Sequence, residues 1–191
     1  MAYHPRIGIT GSAGTGKTTL AGQIAAALGA PLVEEAMRRR LEQGFDFHQI
    51  DRAAHRALLA SEAEDLARLL AAPNPRGLVT DRTPLDMAAF WLSNGYGMDD
   101  PAATEALLAR AICAMADYDA VLLLPWGGLP LEADGIRSAN PWLHLHFQTV
   151  MEGLCRRWLA PDRFFILPES VKGRGARLSW VMDRLNMAVA A

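Results

Sequence analysis

The stretch Gly11-Ser12-Ala13-Gly14-Thr15-Gly16-Lys17-Thr18 follows the spacing glycine, four residues, then Gly-Lys-Thr. Each residue type in that pattern serves a polyphosphate. Glycines let the backbone curl so that successive N–H groups point inward at one anion. A helix beginning at the end of the turn adds a favourable field. Lys17 brings a mobile point charge to the terminal phosphates, which a planar guanidinium does not reproduce at that place. It is one of two lysines in a chain with 17 arginines. The Thr18 hydroxyl suits Mg²⁺, and Thr19 stands beside it on the first helical turn. The chemistry implied is nucleotide binding at Gly11 to Thr19.

Other polar residues fall where apolar runs end. Asp81 and Arg82 close "GLVTDR". A carboxylate there can hold Mg²⁺ through water or accept the proton of an acceptor hydroxyl. Arg82 can grip an anionic or polar acceptor; the plainer alternative is a solvated Asp-Arg pair capping the next helix. Asp86 suits the first turn of that helix for its dipole alone, so its role reads as structural. Glu34 and Glu35 close "APLVEE". Neighbours in a strand point to opposite faces, so one of the two can face a site. Glu35 is preferred, because a following helix would place Arg38, three residues on, along the same side. Such a carboxylate can position or deprotonate an acceptor hydroxyl. Arg137, in the polar stretch "EADGIRSANP", can close over a terminal phosphate. Arg174 and Arg177, with Lys172, can line the base end of a nucleotide, Arg174 leading that set. His144 and His146 are two apart on a predicted helix, which does not suit a metal pair. Trp91, Trp142, Trp158 and Trp180 are expected in or near the core.

Short apolar runs that alternate with helical patterns must position these residues. Strands are predicted at 6–10, 30–35, 77–82, 119–125 and 162–169. Helices are predicted at 16–28, 36–41, 50–71, 84–95, 101–116, 140–159 and 175–190. Asp100-Pro101 and Asn140-Pro141 have the form of a cap followed by a first-turn proline. Nearly all-apolar strands separated by helices indicate an α/β fold with a parallel sheet covered on both faces. Ligands of such sheets bind beyond the carboxyl ends of the strands, where the residues above collect.

With 191 residues, the chain fits one domain spanning 1–191, with a lid segment at 126–140. A net charge of −2 without a long run of one sign argues against a nucleic-acid partner. Cys113 and Cys155 lie far apart and read as reduced thiols. The opening "MAYHPRIGIT" has no secretory pattern, and no apolar run reaches the ~18 residues of a membrane span. A cytoplasmic protein is expected. Apolar helix faces serve cores and dimers alike, which leaves a homodimer open.

"GITGSAGTGKTTLA", "VEEAMRRRLE", "VTDRTPLDMAAFWL", "DAVLLLP" and "EADGIRS", in that order, resemble the small P-loop ATPase/kinase domains of the AAA-like group related to nicotinamide riboside kinase. Deoxynucleoside and nucleoside monophosphate kinases are more distantly similar. The resemblance covers roughly residues 6 to 170. It implies a three-layer P-loop NTPase fold with strand order 2-3-1-4-5 and ATP at Gly11 to Thr18. It also implies Mg²⁺ near Thr18 and Asp81, a lid arginine at Arg137, and acceptor contacts from Glu35, Arg38 and Arg82. The lid departs from the pattern, since 126–140 holds a single arginine where nucleotide kinases often carry several.

The expected activity is transfer of the γ-phosphoryl group of ATP to a small hydroxyl or phosphate acceptor. Lys17, Arg137 and Mg²⁺ would neutralise charge, and Glu35 or Asp81 would orient the nucleophile. The alternative is an ATP-hydrolysing regulatory protein. A guanine-reading Asn-Lys-x-Asp is absent, because Lys17 follows Gly16 and Lys172 follows Val171.

Overall fold

A computed structural model describes residues 4–45, 50–130, 138 and 140–190. Its elements, in chain order, are β1 (Arg6–Thr10), α1 (Lys17–Leu28), β2 (Leu32–Val33), α2 (Ala36–Glu42), α3 (Arg52–Ala71) and β3 (Leu78–Asp81). Then follow α4 (Pro84–Ser93), α5 (Tyr96–Asp99), α6 (Pro101–Met115), β4 (Ala120–Leu123), α7 (Pro141–Trp158), β5 (Phe164–Ile166) and α8 (Arg174–Ala190). The five strands form a parallel sheet of order β2-β3-β1-β4-β5, as expected.

Alternation along the central strands explains the layering. On β4, Ala120 and Leu122 pack with Ile7, Ile9, Leu20, Ile24, Val181 and Leu185, under α1 and α8. Val121 and Leu123 face the other way, into Leu85, Ala88, Tyr118, Phe147 and Met151 under α4, α6 and α7. Both faces of β4 are therefore apolar, and helices must cover each of them. A third cluster, Leu59, Met87, Trp91, Tyr96 and Leu107, knits α3 to α4, α5 and α6.

Local signals set the helix starts. Asp51, Asp100 and Asn140 each accept a first-turn N–H, from Ala54, Ala103 and Trp142 respectively. The strands at 30–35 and 162–169 prove shorter than predicted, two and three residues long. Edge strands pair on one side only, so the sheet ladder stops early there. Of the tryptophans, Trp91 is core at 4% exposure, but Trp142 and Trp158 are exposed. Trp142 falls off the α7 stripe of His144, Phe147, Met151 and Leu154, and Trp158 is the last helical residue. No helix among the described residues is long and apolar enough to cross a membrane.

Candidate active site

The chain leaves β1 at Thr10 and turns sharply at Gly11. Its φ is +134°, and a Cβ there would stand 2.7 Å from the carbonyl oxygen of Leu124, so glycine is required twice over. Helix α1 starts at Lys17 without a side-chain cap, which leaves its first N–H groups open to an anion. Among the described residues, the backbone N–H groups of 13–18 have no hydrogen-bond partner.

Three cations donate to carbonyl oxygens of this loop. Arg82 Nη1 donates to Gly11 O at 2.9 Å, Lys17 Nζ to Ser12 O at 2.7 Å, and Arg177 Nη1 to Thr15 O at 2.7 Å. The Thr15 hydroxyl also donates to Ser12 O, at 2.9 Å. From α7, the Gln148 side chain accepts from Ser12 N at 2.8 Å and donates to Leu124 O at 3.1 Å, tying the loop to the end of β4. The loop is thus fixed through its carbonyls and Ser12 N while the amides of 13–18 stay unclaimed.

Asp81, at the tip of β3, accepts from the Thr18 hydroxyl at 2.6 Å through Oδ2. Its Oδ1 is buried without a hydrogen-bond partner among the described residues. Burial raises the Asp81 carboxyl above its usual range, against the pull of Lys17 and Thr18. An orphaned carboxylate oxygen beside a threonine hydroxyl on a phosphate-type loop is a donor set that suits a hard divalent cation. The residues fit the Mg²⁺ expectation.

Glu34 is exposed, whereas Glu35 turns inward and accepts from Arg82 Nε at 2.9 Å. Arg82 has φ 96°, the only positive φ outside glycine among the described residues. That conformation costs of order 1–3 kcal/mol and needs firm anchors. They are present: Glu35, Gly11 O, Asp86 Oδ1 at 2.9 Å, and the rings of Phe90 and Phe147 with centroids 5.0 and 5.5 Å away. Burial works against the Arg82 charge, but Glu35 and Asp86 raise its pKa further above the usual guanidinium value. Arg82 therefore sits beneath the acceptor side as a buried strut, 5% exposed, rather than reaching out from it.

Asp86 is 0% exposed and accepts from Thr10 Oγ1, Thr83 N, Thr83 Oγ1 and Arg82 Nη1. The capping box of α4 and the strut share this one carboxylate, which gives Asp86 the structural role expected of it. Asp86→Asn sets an amide N–H₂ against these donors and removes a counter-charge. A loss of about 2 kcal/mol follows, read as a Tm lower by about 4–8 °C. An unchanged melting curve would contradict this picture of the network.

Of the remaining expected residues, Ala13 and Gly14 line the loop half-buried, and Thr19 is exposed on the first turn of α1. Arg38 lies in α2, its side chain outside the described ones, and Arg137 lies outside the described residues altogether. Arg174 is exposed at the start of α8, while Arg177, one turn on, touches the loop. Gln148 escaped the sequence reading entirely; a lone glutamine in a helix carries no spacing signal. His144 is buried with Nε2 2.6 Å from Ser138 O, a loop anchor rather than half of a metal pair. A cleft of about 650 Å³ lies between α7 and β5, lined by Trp126, Glu152 and Arg156 among others, and it meets the loop's supports only at Gln148.

Several solved structures share this fold. A deoxyadenosine kinase from M. mycoides, solved with dCMP and dCDP, superposes with TM-score 0.69 at 15% identity, covering 95% of this chain and 98% of its own. An NadR protein in complex with NR gives TM-score 0.70 at 19% identity over 99% of this chain and 52% of its own, so this chain spans about half of that protein. Shikimate kinase from Acinetobacter baumannii, solved with shikimate, gives TM-score 0.57 at 15% identity, covering 98% and 94% of the two chains. At such identities the likeness is one of fold. No curated protein sequence matches the chain. Residues 6–174, however, match the AAA domain family, and this span includes the phosphate-type loop, Glu35, Asp81 and Arg82: the chain belongs to that family, as a small P-loop domain.

Proposed function

We propose that the protein is a small-molecule kinase that transfers the γ-phosphoryl group of ATP to a hydroxyl or phosphate acceptor. One observation carries the reading. A loop with unclaimed amides at 13–18, its carbonyls held by Arg82 and Arg177, lies beside a carboxylate anchored on a buried arginine, Glu35 on Arg82. The solved kinases of the same fold support it.

The amides and Lys17 would hold the terminal phosphates. Thr18 and Asp81 would hold Mg²⁺, which when bound offsets charge on the phosphate oxygens. Glu35 then suits the base role better than Asp81, because Asp81 is already committed to Thr18 and the cation position. Arg82 aims Glu35, so that it can take the acceptor proton as the new O–P bond forms. Arg137 would complete the charge set from a lid at 126–140, within a single domain. A nucleoside, a sugar or a small aromatic alcohol would suit the acceptor side, and a cytoplasmic setting fits all three.

The test is thermal melting with a non-hydrolysable ATP analogue, Mg²⁺ and a metabolite panel, since a ligand of the folded state raises Tm by mass action. The analogue should raise Tm, and an acceptor should raise it again and accelerate ADP release from ATP. ADP release indifferent to every acceptor would instead indicate a hydrolytic regulator. No shift with the analogue would end the nucleotide reading.

Lys17 gives this reading a pH signature. Burial, then Arg82, lowers its pKa to about 7, against the pull of Glu35, Asp81 and Asp86. In the nucleotide-free protein at pH 8 Lys17 is therefore mostly neutral. Polyphosphate favours its charged form, so binding must take up a proton there, and must not at pH 6, where Lys17 is already charged. Calorimetry in two buffers of different ionisation enthalpy should show uptake approaching one proton per ATP at pH 8. Equal uptake at pH 8 in a Lys17→Met variant would contradict the assignment.

A further inference from the structure

Arg177 is the buried cation to which the reading above gives only a bond to a loop carbonyl. It is 5% exposed, one turn into α8. Nη1 donates to Thr15 O at 2.7 Å and Nε to Val171 O at 3.1 Å. Nη1 also stands 3.1 Å from where a Cβ on Gly16 would be, and Nη2 3.6 Å from one on Gly128. The guanidinium thus lies across the end of the phosphate-type loop, between it and the segment leaving β4.

Among the described residues its charge has no counterpart. Arg82, equally buried, is flanked by Glu35 and Asp86. Lys17 feels Glu35, Asp81 and Asp86. Arg177 makes no ion pair among the described residues, and burial lowers its pKa. Two carbonyl oxygens take two of its five N–H groups without balancing its charge. A buried charge is normally paired, and one left unpaired destabilises the free protein. An amide could cap one of these carbonyls at lower desolvation cost. The arrangement makes sense if an anion arrives.

We infer that Arg177 is a nucleotide-binding residue whose uncompensated charge serves the polyphosphate from the α8 side of the loop. The inference rests on the nucleotide reading but not on phosphoryl transfer, so it stands or falls by binding alone. Arg177 also differs from an ordinary loop clamp. A clamp needs only donors, and its loss weakens every ligand of the site alike. A charge acts in proportion to the charge of the ligand and is screened by salt.

The experiment measures dissociation constants of Mg-ATP and of adenosine for wild-type, Arg177→Gln and Arg177→Lys proteins across a salt series, with melting curves alongside. Arg177→Gln keeps a donor for Thr15 O and removes the charge. It should weaken Mg-ATP by about 10-fold or more, flatten the salt dependence, and leave adenosine within about 2-fold of wild type. Arg177→Lys keeps the charge and should stay within about 3-fold for Mg-ATP. Wild-type affinity in Arg177→Gln would overturn the inference. So would equal losses for Mg-ATP and adenosine with the salt slope unchanged, which would reduce Arg177 to a clamp. Should Arg177→Gln fail to fold, Arg177→Lys decides: a 10-fold loss of Mg-ATP affinity there would show that fork geometry, not charge, matters. A wild-type protein that binds no ATP would remove this inference together with the nucleotide reading, whereas wild-type binding with an insensitive Arg177→Gln removes this inference only.

Discussion

Replacing Lys17 by alanine should lower turnover, followed as ADP release from ATP with acceptor present, by ~10³-fold while leaving the fold intact. The two halves of that expectation have separate causes. Lys17 is 6% exposed, and its ammonium donates to Ser12 O at 2.7 Å. Removing it does not orphan that carbonyl, because the Thr15 hydroxyl already donates to it. It also removes a charge that burial disfavours, to the point of a pKa near 7 in the free protein. The melting temperature should therefore fall little or even rise below pH 7. Turnover depends on the same ammonium in its charged form, beside phosphate oxygens whose charge shifts in the transition state. A group badly solvated without ligand and well matched with it is what preorganised electrostatics looks like in a resting protein. Wild-type turnover in Lys17→Ala would end the proposal; a large loss of turnover that merely tracked a large loss of Tm would weaken it.

The frame of this site was legible in the sequence because its signals are local. The loop declares itself through glycine spacing, and Gly11 and Gly16 both take the positive φ that such spacing implies. The alternation of apolar runs and helical patterns led to a parallel sheet, and the resemblance to small P-loop kinase domains supplied its order, 2-3-1-4-5. Strand alternation left one of Glu34 and Glu35 for the site and the spacing to Arg38 chose Glu35, although both residues lie beyond the two-residue β2. What stayed hidden depends on contacts distant in sequence. Gln148 reaches Ser12 across 136 positions, and Arg177 reaches Thr15 across 162. Neither carries a motif, and Arg174 offered the same residue type three positions earlier. Arg82 is the instructive middle case. Its place at a strand end was evident, but its direction was not. A left-handed residue at the end of β3 and the buried Asp86 turn it inward. Backbone outliers of that kind are set by tertiary anchors, which a pattern of residue types does not encode.

Asp81→Asn should prove nearly as damaging as the lysine change, with a loss of turnover of ~10²-fold or more, and it tests a different part of the site. The substitution preserves shape. An asparagine carbonyl can still accept from Thr18, so the 2.6 Å contact that ties β3 to α1 has a substitute. Burial raises the pKa of this carboxyl, which means that the ionised form is held at some cost in the free protein. Stability should therefore change little at neutral pH. What asparagine cannot supply is the negative charge at Oδ1, the atom left without a partner. A hard cation prefers that anionic oxygen over a neutral amide, so the Mg²⁺ concentration giving half-maximal rate should rise in the variant. Saturating Mg²⁺ should then restore part of the lost turnover. That partial rescue separates a cation-holding carboxylate from a base, since added cation cannot restore a missing proton acceptor. A loss of rate indifferent to Mg²⁺ would transfer the base role from Glu35 to Asp81. Full activity in Asp81→Asn would show that the orphaned oxygen serves neither purpose.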